Sequence, residues 1–244
     1  MTGCMAVFHR EMLILRRRLW KQIASMALSP LLYLVAFGFA LGGDVSYQGY
    51  TYREFLIPGL VAMVSMTQSF AIASEINIAR FYWHIFEEFQ AAPLSNLAFV
   101  TGEVLAGITR GLLAVLVIVV LAAVFGVVLS YNLRFWAAVV LNAAFFSCVA
   151  VGVAMLVKTH ADQVLVTNFV ITPMAFLGGT FFPFDRMPEW VQRVLSLLPL
   201  THAVGAIRES SFGMRPELTS YVILMVLSVV AFIVAFLCVD QARN

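Results

Sequence analysis

Charge is scarce in this sequence: Asp, Glu, Lys and Arg make up 11% of its 244 residues. A soluble domain is typically about one-quarter charged and about half apolar. Here 62% of the residues are hydrophobic and the mean hydropathy is +0.94, more apolar surface than one water-facing core can bury. The net charge of +2 is too small to mark a nucleic-acid binder. Cys4, Cys148 and Cys238 stand far apart, with no C-x-x-C pair, which excludes a disulfide framework or a zinc site. The chain has no G-x-x-x-x-G-K-[ST] phosphate loop, no H-E-x-x-H and no G-x-S-x-G. His9, His84, His160 and His202 are scattered, so no set of nucleophile, base and metal ligands suggests an enzyme. No acidic residue falls in the middle of an apolar run, where a proton-driven carrier would place one.

Long apolar runs are what the sequence has in abundance. A helix needs about 20 mostly apolar residues to cross a bilayer. Six runs qualify, at about 23–41, 55–76, 104–129, 135–157, 164–182 and 218–239. The expected fold is an all-α polytopic membrane protein, a single domain over 1–244. Arg10, Arg16, Arg17, Arg18 and Lys21 precede the first run, which puts the N-terminus in the cytoplasm, and six spans return the C-terminus there. Ahead of the first span, Phe8, Met12, Leu15 and Leu19 share one helical face with arginines around the other. That pattern predicts an amphipathic helix on the membrane surface, and the same basic residues serve as a topology signal.

Two connections do more than reverse the chain. Between spans two and three, residues 80–92 read as a short amphipathic helix with Phe81, Ile85 and Phe89 on one stripe. Glu87 and Glu88 flank that stripe, and Pro93 ends it. Between spans five and six, Gly178, Gly179 and Pro183 close the fifth span, and two short apolar pieces follow, divided by Pro199. Each piece is too short to cross the hydrocarbon, so each re-enters or lies at the interface. Glu75, Glu103 and Arg110 stand near span ends. Glu103 and Arg110 lie two turns apart on one face and can pair through a neighbour, a structural role.

The stretch "LLPLTHAVGAIRES", with Pro199, Leu200, His202 and Arg208, resembles the signature of ABC-2 type membrane permeases. The upstream "FLGGTFFPFDRMPEW" and the loop "FEEFQAAPLS" are similar to the segments that family carries at the same places. The resemblance covers nearly the whole chain. It implies the membrane subunit of an ATP-driven exporter in the bacterial inner membrane. ATP and Mg²⁺ would then bind in two copies of a separate ATPase subunit, with no cofactor in this chain. It assigns Phe81, Ile85, Glu87, Glu88, Phe89 and Pro93 to ATPase coupling, and Gly178, Gly179, Pro183, Pro199, His202 and Arg208 to an outer re-entrant hairpin. It also implies a second permease half, most simply a homodimer, with spans two and five lining the path. On those spans Thr67, Gln68, Phe70, Asn168, Thr172 and Phe176 are the candidate substrate contacts. The apolar path suits an amphipathic or hydrophobic cargo. An ion-coupled secondary transporter with no ATPase partner is the alternative, and a non-transporting scaffold the third reading.

Overall fold

The computed structural model describes residues 2–40, 46–47, 49–82 and 94–243. Helix α1 (Thr2–Arg17) leads into α2 (Leu19–Ala40). A small antiparallel hairpin follows, β1 (Ser46–Tyr47) with β2 (Tyr50–Thr51), pairing Tyr47 with Tyr50. Thr51 then caps α3 (Tyr52–Phe70): its side chain accepts from the Glu54 N–H, and Glu54 Oε2 accepts the Thr51 N–H at 2.7 Å. A short break at Ala71 separates α3 from α4 (Ile72–Phe81). The Ser95 and Asn132 side chains cap α5 (Asn96–Val124) and α6 (Leu133–Leu156). Beyond them come α7 (His160–Val166), α8 (Thr172–Leu177), α9 (Glu189–Leu195), α10 (Pro199–Ser211) and α11 (Leu218–Arg243).

Among the described residues, five helices are long and apolar enough to cross a membrane: Leu19–Gly38, Tyr52–Phe81, Asn96–Val124, Leu133–Leu156 and Leu218–Ala242. The chain is a helical polytopic membrane protein. The run at 164–182, read from sequence as a fifth span, differs: the helical backbone begins at His160, ends at Leu177, and widens into a π turn at Thr167–Ile171. The cause is Pro173. A proline in a helix lacks an N–H and its ring clashes with the carbonyl four residues back. Here the ladder shifts register just before it, and both the N–H and the hydroxyl of Thr172 bond the Thr167 carbonyl. Elsewhere the helices and the apolar runs differ at their ends: α5 starts eight residues before the run at 104–129 and stops five short of its end, while α6 matches the run at 135–157 to within two residues.

Helix α3 is the centre. Its apolar window is 83% buried, against 17% for α2 and 22% for α11, and Phe55, Leu56, Ile57, Leu60 and Val61 are fully enclosed. Such all-round burial matches a helix that is apolar on every face. Close approach depends on small residues. A Cβ on Gly107 would run into the Ser147 hydroxyl, and one on Gly111 into the Ser69 hydroxyl, so α3, α5 and α6 meet almost backbone to backbone.

Contacts between elements sort onto two ends of the bundle. At one end, Arg80 caps α6 by donating to the carbonyls of Ala154 (3.2 Å) and Met155 (2.8 Å), and Asn96 donates to Asp240 (2.7 Å). At the other, Tyr52 donates to the Phe181 carbonyl (3.0 Å), Asn132 to the Ser210 carbonyl (3.0 Å), and Tyr50 stacks on Phe212. Both terminal helices thus reach the first end, and residues 178–217 lie at the second. Gly111→Leu should lower folded yield and cost about 1–3 kcal/mol from overpacking, read as a drop in thermal midpoint of the purified protein.

Candidate functional site

Three regions carry the polar chemistry. The first is a buried charge cluster at the end holding the termini. Arg110 on α5 meets Glu75 on α4 through both guanidinium nitrogens, each at 2.6 Å. The partner of Arg110 is thus Glu75, while Glu103 has its ion-pair contact with Arg10. The cluster also has two members that the sequence reading missed, both from α1: Arg10 lies 3.0 Å from Glu11 and 4.0 Å from Glu103. Burial pushes the Glu11 carboxyl above its ordinary range, and Arg10 works against that. The amphipathic face of α1 differs accordingly from the one expected. Val7, Glu11 and Leu15 are buried, with Val7 seated on Gly102 of α5, while Phe8 and Met12 are only partly covered. A carboxylate inside that i, i+4, i+8 stripe was the available signal. Arg16, Arg17, Arg18, Trp20 and Lys21 remain exposed.

The expected coupling helix over 80–92 begins earlier as α4, and α4 ends at Phe81, where the Arg80 guanidinium lies 5.1 Å from the ring centre. Ile85, Glu87, Glu88, Phe89 and Pro93 lie outside the described residues.

The second region is a groove of about 270 Å³ between α2, α3 and α8. It gathers Thr67, Gln68, Thr172 and Phe176 of the candidate path. Phe70 is instead buried in the core, and Asn168 is exposed on the π turn beside Phe169, itself 76% exposed. Helix α2 adds Ser25, Ser29 and Tyr33, a four-residue spacing that puts all three on one face and was legible in the sequence. Tyr33, Phe37 and Phe176 crowd around Phe181, with ring centres 5.1–5.2 Å from it, and close the groove towards the hairpin.

The third region is that hairpin. Gly179 turns the chain at φ +84°, and Gly178 lets Leu200 pack against its backbone. Pro183 precedes a short 3₁₀ turn, and Pro199 starts α10 where no N–H is needed. His202 Nε2 lies 2.8 Å from the Ser196 carbonyl. Arg208 donates to the Gly179 carbonyl at 2.8 Å and lies 3.9 Å over the Phe55 ring, joining the hairpin to α3 and to the end of α8. Arg208→Ala should cost about 2–3 kcal/mol from the lost charged hydrogen bond and ring contact. The yield of monodisperse protein should fall with it, and Arg208→Lys should recover only part.

The ABC-2 type transporter family matches residues 2–212. The inner membrane transport permease YadH of Escherichia coli (strain K12) is 28% identical over 236 residues, covering 93% of this chain and 91% of its own. Nodulation protein J of Rhizobium meliloti (strain 1021) is 31% identical over 202 residues, covering 80% and 77%. With a family match over most of its length and the polytopic helical fold just described, the chain belongs to the ABC-2 type transporters.

Proposed function

We propose that this chain is the permease subunit of an ATP-driven exporter in the bacterial inner membrane, with both termini cytoplasmic. The observation that carries the reading is where α4 and α5 deliver residues 83–93. Helix α4 ends, and α5 begins, at the end of the bundle that also holds the basic α1 and the last turns of α11. A connection there, with Phe81, Ile85 and Phe89 as apolar anchors and Glu87 and Glu88 at the rim, is suited to docking on a soluble ATPase. ATP and Mg²⁺ bind in that partner, present in two copies, a reading in keeping with the lack of a phosphate loop in this sequence. The permease name of the YadH relative supports the inner-membrane placement.

Two copies of the chain form the path. The groove lined by Thr67, Gln68, Thr172 and Phe176 faces it, and Asn168 is a polar group that lipid would leave unsatisfied. The cargo is amphipathic or hydrophobic, in keeping with the apolar walls. An ion-coupled carrier is disfavoured because no acidic residue falls in the middle of an apolar run, where such a carrier would place one.

Co-expression with the cognate ATPase tests the coupling segment. Phe89→Ala should weaken ATPase copurification and stimulated hydrolysis by about 2 kcal/mol or more, while Glu87→Gln costs about 0–1 kcal/mol and varies with salt. Wild-type stimulation by the Phe89→Ala chain would remove this loop from the coupling role. Separately, a cysteine at Glu189, in a chain without its native cysteines, should react with an impermeant thiol reagent from the outside only.

A further inference from the structure

The corner between α1 and α2 concentrates positive charge, and neither the groove nor the buried cluster includes it. Arg16 and Arg17 close α1, Arg18 forms the turn, and Lys21 lies in the first turn of α2, four cations within six residues. All four side chains are exposed, and among the described residues none of them has an ion pair or hydrogen bond. Glu11, the nearest acidic residue in sequence, is buried beside Arg10, and the next does not come until Asp44. Unpaired like charges this close repel one another, a cost that an anion at the corner would offset.

The packing of α1 does not account for these cations. Its buried stripe of Val7, Glu11 and Leu15 points inward, and Val7 sits on Gly102 of α5. The basic end of the helix is left facing out.

Two observations select a lipid over a soluble anion. The corner lies at the start of Leu19–Gly38, a helix long and apolar enough to cross a membrane, so its cations stand at headgroup level. An exposed apolar stripe continues directly from them. Trp20, Leu28 and Leu32 recur at multiples of four, all exposed, and share one side of α2 with Lys21, two turns before Leu28. Trp20 takes the level between charge and hydrocarbon, where tryptophan rings concentrate. A soluble anion would meet the cations alone, whereas a phospholipid meets both parts. The planar forks of the three arginines suit phosphate oxygens, and the stripe suits an acyl chain.

We infer that the α1–α2 corner is a binding site for anionic phospholipid. The headgroup sits among Arg16, Arg17, Arg18 and Lys21, and an acyl chain runs along Trp20, Leu28 and Leu32. That the lipid belongs to the cytoplasmic leaflet rests on the orientation proposed above. The preference for an anionic headgroup does not, and is measured without the ATPase.

Trp20 serves as the reporter. Replacing Trp83, Trp136 and Trp190 by Phe leaves it the sole tryptophan of the full-length chain. The chain is reconstituted into vesicles of phosphatidylcholine and phosphatidylglycerol in one fixed ratio. Acyl-chain bromine, which quenches a neighbouring indole, is carried by phosphatidylglycerol in one set and by an equal amount of phosphatidylcholine in the other. Quenching should show phosphatidylglycerol enriched about tenfold at Trp20, falling towards parity at about 1 M salt, where the screening length is about 3 Å. Arg17→Gln and Lys21→Gln should each lower the enrichment about threefold, and joint replacement of Arg16, Arg17 and Arg18 by Gln should remove it. The single variants change only exposed side chains, so their thermal midpoints should match that of the parent. Equal quenching by the two brominated lipids would overturn the inference and leave the cluster to a soluble partner. A preference that persists at high salt, or in the triple variant, would overturn it as well.

Discussion

The hydrocarbon of a bilayer offers no water to a freed backbone carbonyl, and the architecture follows from that constraint. At several places where the helical ladder of this chain stops or shifts, a side chain takes the exposed oxygen. Arg80 covers the last turn of α6, Arg53 the Gly38 carbonyl of α2, Tyr52 that of Phe181, and Arg208 that of Gly179. Thr172 does the same for the π turn. Several of the few charged and polar residues are spent this way, which is why so little charge suffices. It also explains why Arg80 and Arg208, from opposite ends of the bundle, have equivalent duties.

The gross plan was legible in the sequence because it rests on long patterns. Five apolar runs became membrane-length helices, and proline and glycine marked the hairpin. What was less legible depends on which residues a helix meets. The burial of Glu11, which the sequence reading did not single out, comes from the packing of α1 on α5, where Arg10 lies between Glu11 and Glu103. Periodicity alone drew the stripe of α1 through Phe8 and Met12. Glycine at position 102 moved it to Val7, because only there can the two backbones close.

The candidate path shows the same division. Thr67, Gln68, Thr172 and Phe176 converge; Thr172 and Phe176, four apart, share one face of α8. Asn168 and Phe70 did not follow. The π turn adds a residue to the repeat and rotates everything before it, while Phe70 sits at the break where α3 passes into α4. A local change of helical period, set by Pro173, is what face counting along 164–176 could not resolve.

The contact between Gly59 and Thr180 has a mechanical consequence. Even a methyl group on Gly59 would collide with the Thr180 backbone, so the two segments have no slack between them. Tyr52 and Arg208 bind the same pair of segments on either side of that contact. Helix α3 and the root of the hairpin thus form one tightly packed unit. Its far end continues through Ala71 into α4, which leads to residues 83–93. The hairpin at one end of the bundle is therefore locked sterically to the most deeply buried of the membrane-length helices.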